Sequence, residues 1–155
     1  MNRTYWTCAF VLVAAAFAAS LWFYPRLPDR IPMHWNIRGE IDGWGSRNSV
    51  WLTPCVMLGL LGLFAILPAL SPKPFDLGKS RSVYLFIMVL MIGLFGYIHV
   101  LILWAALNPK LDFSRALVCG IMLMFALMGN VLGKIKRNLY VGVRTPWTLA
   151  SERVW

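Results

Sequence analysis

Residues 83–107 read VYLFIMVLMIGLFGYIHVLILWAAL, a run with no Asp, Glu, Lys or Arg. A bilayer core takes roughly 20 apolar residues per helix. A surface helix of a soluble domain would present a polar face every 3.6 residues, and this run has none. Residues 5–24, 51–70 and 116–133 read the same way. Composition agrees, with 59% hydrophobic and 14% charged residues among 155 and a mean hydropathy of +0.66. Soluble domains carry about 25% charged residues.

The expected fold is an all-α integral membrane protein. It has four transmembrane helices, an extended or hairpin-like outer loop and a short interfacial C-terminal segment. The chain divides into an N-terminus at 1–4 and helices at 5–24, 51–70, 83–107 and 116–133. An outer loop at 25–50, an inner loop at 71–82, a second outer loop at 108–115 and a basic tail at 134–155 complete it. Too little remains for a separate globular domain.

A cleaved signal peptide is the rival reading of the first segment, with Arg3 before an apolar run and small residues at Ala18-Ala19-Ser20. The run continues through Leu21-Trp22-Phe23-Tyr24, however, and aromatics at both ends resemble interfacial anchors. A retained helix is therefore expected. Cys8, Cys55 and Cys119 fall in or at the ends of separate spans. An odd count there is no disulfide framework, and they read as small buried hydrophobes.

The net charge of +9 would suggest nucleic acid in a soluble protein. Here the cations flank membrane spans, where orientation and anionic lipid account for them. Direct nucleic-acid binding is not expected. With both termini inside, the cytoplasm receives nine basic residues and the outside six. Lys134, Lys136 and Arg137, directly after the fourth span, weigh most for this orientation.

Helices in lipid associate through small residues and interhelical hydrogen bonds. Candidates are Ala14/Ala18, Ala15/Ala19 and Ala16/Ser20, then Gly59/Gly62, Gly93/Gly96, and Gly129/Gly133 beside Asn130. Packing within one bundle is the simpler use of these pairs than a dimer face. His99 is the ionisable residue deep inside a span, with Tyr97 two positions earlier. Such a residue is a functional candidate by default, although one neighbouring carbonyl or hydroxyl would satisfy a neutral imidazole.

The prolines at 72 and 74, and at 109, stop helices because proline cannot continue the backbone ladder. Two other polar stretches say more. In the outer loop, Ile31, Met33 and Trp35 alternate with Pro32, His34 and Asn36, the period of a short strand. Asn36-Ile37-Arg38-Gly39 has a turn signature, Glu40 to Trp44 would return as a second strand, and Asp42-Gly43 would make another turn. A two-stranded ribbon is marginal alone. Met33, Trp35, Ile41 and Trp44 are thus expected to rest on the rim of the bundle, leaving His34, Asn36, Glu40 and Asp42 as an outward polar cluster. In the tail, Leu139, Val141 and Val143 alternate with Tyr140, Gly142 and Arg144, suggesting an extended piece. Thr145-Pro146 is a helix start, and Trp147, Leu149, Val154 and Trp155 suit a short interfacial helix.

These two stretches resemble the SdpI family of membrane immunity proteins, which act against a secreted antimicrobial toxin, the sporulation-delaying protein. In the outer loop the resemblance lies in a Pro followed by His34-Trp35-Asn36, Gly39 and Asp42-Gly43. In the tail it lies in Gly129-Asn130, Lys134-Ile135-Lys136, Asn138, Gly142, Arg144-Thr145-Pro146-Trp147-Thr148, Ser151-Glu152 and Trp155. Two departures stand out. The family has prolines near Gly133 and Arg137, and its pattern runs on past the final Trp, through a Thr-His pair, into further spans. A function that needs those spans is therefore in question for residues 1–155.

The resemblance implies a multi-pass protein of the bacterial plasma membrane with cytoplasmic termini, neither an enzyme nor a cofactor binder. It implies immunity to, or sensing of, a secreted peptide toxin outside, and sequestration of a transcriptional repressor inside. The toxin-facing residues would be His34, Trp35, Asn36, Glu40 and Asp42. The cytoplasmic motif would be Lys134, Lys136, Asn138, Arg144, Thr145, Pro146, Trp147 and Glu152. A small transporter or accessory subunit using His99, with Tyr97 and Asn130, is the alternative. A metal-dependent hydrolase built on His34, Glu40 and Asp42 is disfavoured, because zinc sites usually need three protein ligands and the chain has two histidines.

Overall fold

The computed structural model describes residues 2–70, 80–108, 111–138, 141, 142 and 144–155. Its main helices are α1 (Asn2–Phe23), α2 (Leu52–Ile66), α3 (Arg81–Leu107) and α4 (Phe113–Leu132). With their flanking turns, these four are long and apolar enough to cross a membrane. The protein is a multi-pass membrane protein. Between α1 and α2 lies an antiparallel hairpin of β1 (Arg30–Trp35) and β2 (Ile41–Ser46), and a short α5 (Pro146–Ala150) follows α4.

The helix ends follow local chemistry. Pro25 lacks an N–H and turns the chain into a 3-10 segment, Tyr24–Arg26, after α1. The Arg26 guanidinium donates to the Trp22 carbonyl (2.9 Å), satisfying one of the acceptors a helix end leaves open. α4 begins at Phe113, three residues before the apolar run, because the Asp112 carboxylate accepts from the Arg115 N–H (3.1 Å) as an N-cap. Pro54 sits in the first turn of α2, where its missing donor costs nothing.

α3 is the central helix and packs against each of the other three. It also supplies one polar side chain to each. The Tyr84 hydroxyl donates to the Phe64 carbonyl before the end of α2 (2.8 Å), and the Tyr97 hydroxyl donates to the Ala116 carbonyl of α4 (2.8 Å). A hydrogen bond of 3.0 Å joins His99 Nε2 to Ser20 Oγ of α1, with both residues buried. In lipid, where apolar contact gives no net drive, such ties and close packing hold helices together.

The small-residue pairs behave unequally. The buried stripe of α1 is Ala9, Val13, Ala16 and Ser20, so Ala16/Ser20 lies at the interface while Ala14, Ala15 and Ala18 are exposed. Gly59, Gly62, Gly93, Gly129 and Gly133 meet no atom within 4 Å of a built Cβ, and Asn130 donates to Ala126 of its own helix. The close approach falls instead at Gly120, against whose Cα the Tyr97 ring packs. Spacing identified the small residues but not their rotation about the helix axis. The three cysteines are unpaired and exposed on the helices rather than buried.

Two apolar cores divide the bundle lengthwise. Ala9, Val13, Ala16, Met57, Leu61, Tyr84, Leu85, Met88 and Ile92 form one. Leu27, Ile31, Val50, Leu101, Ile102, Leu103, Ala105 and Phe113 form the other, under the hairpin. Val83, Ile87 and Ile135 make a third cluster at the opposite end, where the tail returns. A 27-residue helix is roughly 40 Å long. Hairpin and tail thus occupy the two ends of α3.

Candidate functional site

The hairpin is built around Asn36. Its backbone carbonyl accepts from the Gly39 N–H (2.9 Å), and its Oδ1 accepts from the N–H groups of Arg38 (2.9 Å) and Glu40 (3.0 Å). Its Nδ2 donates to Glu40 Oε2 (2.8 Å). Gly39 has φ of 82°, which a side chain would strain. Asn36 therefore shapes the turn with both ends of its amide.

Behind the turn, β1 and β2 pair with a bulge on either side of His34, which lies opposite Gly43. Asp42 and Gly43 belong to β2 and do not make the second turn expected from their sequence. A Cβ on residue 43 would come within 2.7 Å of the His34 Cβ, so this crossing requires glycine. His34 Nδ1 donates to Asp42 Oδ1 at 2.5 Å, with the His34 side chain 72% exposed. His34, Asn36, Glu40 and Asp42 thus form two joined pairs on the outward face. Among the described residues, no group of three or more His, Cys, Asp and Glu gathers in a metal-binding arrangement.

The opposite face anchors the hairpin. Ile31 is fully buried, and Trp35 stacks on Phe113 with ring centroids 3.5 Å apart and planes 1° from parallel. Met33 and Ile41 are half-buried, whereas Trp44 is 57% exposed and does not join the rim. Strict two-residue alternation along β2 accounts for this: Trp44 lies three residues from Ile41, so it shares the outward face with Asp42 and Ser46.

The tail is folded too. The Lys136 N–H donates to Ser80 Oγ at the foot of α3 (2.8 Å), and Ile135 is buried against Val83 and Ile87. Asn138 is also buried. Its Nδ2 donates to the carbonyls of Lys136 (2.9 Å) and Val141 (3.1 Å), and its Oδ1 accepts from the Val141 N–H (2.8 Å). The Trp155 indole donates to the Ile135 carbonyl (2.8 Å) while its ring covers Gly142. Thr145 caps α5 reciprocally with Thr148, with Pro146 in the first turn. The extended piece expected over 139–144 includes Leu139, Tyr140 and Val143, which lie outside the described residues. Lys134, Lys136, Arg144, Pro146, Trp147 and Glu152 are exposed.

Family models match both folded ends. One described as "Domain of unknown function (DUF1648)" matches residues 11–58, from α1 through the hairpin into α2. Another, the "SdpI/YfhL protein family", matches residues 134–155, the tail. The chain is similar along its length to "Immunity protein SdpI" of Bacillus subtilis (strain 168). It is 24% identical over 145 residues, covering 94% of this chain and 68% of that protein. The chain is thus similar to the SdpI family at both folded ends. No solved structure matches it.

The residues of the two matched stretches have distinct duties. Asn36, Gly39, Gly43, Asn138 and Trp155 build the two folds, while His34, Asp42, Lys134, Lys136 and Trp147 remain at the surface. Sequence reasoning missed Phe113 and Ser80, the surfaces that receive hairpin and tail. Phe113 follows the capping Asp112 at a helix start, which was a usable signal. Ser80 had none, because its partner is 56 residues away.

Proposed function

We propose that this chain is a membrane immunity protein that protects its cell from a secreted antimicrobial peptide. The observation that carries this reading is that both family-matched stretches are folded and lie at opposite ends of one bundle. The relative it resembles along its length is named for immunity. The role is non-enzymatic. The hairpin meets the toxin through the exposed His34–Asp42 pair and Glu40, with Trp35 and Asn36 holding that surface in shape. The termini are cytoplasmic, in line with nine basic residues at their end against six at the other, and the membrane is the bacterial plasma membrane. The tail, with Arg144 to Glu152 in and around α5, presents the surface that receives a transcriptional repressor. His99 serves as the tie between α1 and α3, for which its bond to Ser20 suffices.

The test is survival of toxin-sensitive cells expressing the chain. Wild type should protect, and His34→Ala with Asp42→Ala should lose most protection at unchanged membrane abundance. Wild-type protein that is correctly inserted yet leaves cells unprotected would sink the reading.

A further inference from the structure

Three exposed cations lie at the end of the bundle where α3 starts and α4 stops. Arg81 is the first residue of α3, and Lys134 follows the Gly133 that ends α4. Lys136 is drawn to the same place because its N–H donates to Ser80 Oγ, the residue beside Arg81 (2.8 Å). Buried Ile135 and the Trp155 indole on its carbonyl fix the short segment that carries both lysines. All three cationic side chains are exposed. Glu152 is the acid among the described residues of this end, and in the sequence Asp76 is the other.

The level in the membrane matters as much as the charge. Both helices change here from apolar to basic sequence, which is where hydrocarbon gives way to headgroups. Just above, Gly129 and Gly133 lie one turn apart on α4 with no atom within 4 Å of either Cβ position, and Leu132 is exposed beside them. The flank of α4 therefore offers a shallow apolar track leading down to the cations.

We propose that Arg81, Lys134 and Lys136 form a binding site for the phosphate of an anionic glycerophospholipid, with an acyl chain along the Gly129–Gly133 flank of α4. Charge complementarity selects the ligand, since basic clusters at the ends of transmembrane helices attract anionic headgroups. The site is independent of the immunity reading, and its test does not involve the toxin.

The experiment is native mass spectrometry of the purified full chain, titrated with phosphatidylglycerol and with phosphatidylcholine of matched acyl chains. Phosphatidylglycerol should bind selectively. Arg81→Ala/Lys134→Ala/Lys136→Ala should weaken it on the order of a hundredfold, at about fivefold per cation removed, while the Arg81→Lys/Lys134→Arg/Lys136→Arg variant retains it. If the triple alanine protein does not insert, Lys134→Gln/Lys136→Gln reads the same loss at roughly 25-fold. Inorganic phosphate at the same concentration should not displace the lipid. Equal binding of the two lipids, indifference to charge removal, or full displacement by phosphate would each overturn the proposal.

Discussion

At the hairpin end every acidic residue sits beside a basic side chain or a histidine. Asp29 pairs with Arg47, His34 with Asp42, Arg38 with Glu40 and Asp112 with Arg115. The tail end carries nine basic residues and two acidic ones in the sequence. The difference shows how each end is held. The hairpin docks through apolar surface, with Ile31 buried and Trp35 stacked on Phe113, and its charges settle among themselves. The tail is shaped by hydrogen bonds to its own backbone, Asn138 to Lys136 and Val141 and Trp155 to Ile135, and is joined to α3 by the Lys136–Ser80 bond beside buried Ile135. One end presents a nearly neutral, shaped face, and the other a fixed cationic one.

The largest effect should come from removing the aromatic anchor. Trp35→Ala deletes one ring of the stack and opens the core beneath the hairpin, costing about 3 kcal/mol, the low end for a large aromatic truncation because Trp35 is half-buried. Hydrogen exchange in nanodiscs should rise over 30–46 and stay unchanged over 134–155. Equal loosening of both ends would break the division drawn above.

Asn138→Ala comes next and strikes the other end. Two carbonyls and one N–H lose their partner inside the fold. A buried polar group left unsatisfied costs about 1–3 kcal/mol. The expected loss is about 2 kcal/mol, seen as exchange confined to 134–155 with hairpin protection intact. Protection of the tail at wild-type level would show that Ile135 packing alone holds it.

How far each end was legible follows from the same contrast. The four spans are written in unbroken apolar runs, and the hairpin in alternation plus an Asn–Gly turn, all local signals. Trp44 reads as a rim residue only because Asp42-Gly43 reads as a turn; with both inside β2, the two-residue period turns Trp44 outward, away from Ile41. The tail's signature residues were recognisable, but not what they do. Asn138 reads as another polar loop residue until its amide is seen to bridge the backbone on both sides. Helix faces were hardest: His99 and Tyr97 could be singled out, but not that they point to different helices.

The smallest effect is the most discriminating. Trp155→Phe keeps an aromatic ring over Gly142 but removes the indole N–H that donates to the Ile135 carbonyl. If packing held the tail as it holds the hairpin, this change would be nearly silent, because a Phe ring retains much of the apolar contact. If directed hydrogen bonds hold it, the Ile135 carbonyl loses its donor and the tail opens more easily by about 1 kcal/mol, a roughly fivefold rise in exchange over 134–155. The matching change at the other end is Trp35→Phe, whose indole N–H has no such task in the stack on Phe113. A selective response at residue 155 would confirm that the two ends are fastened by different physics.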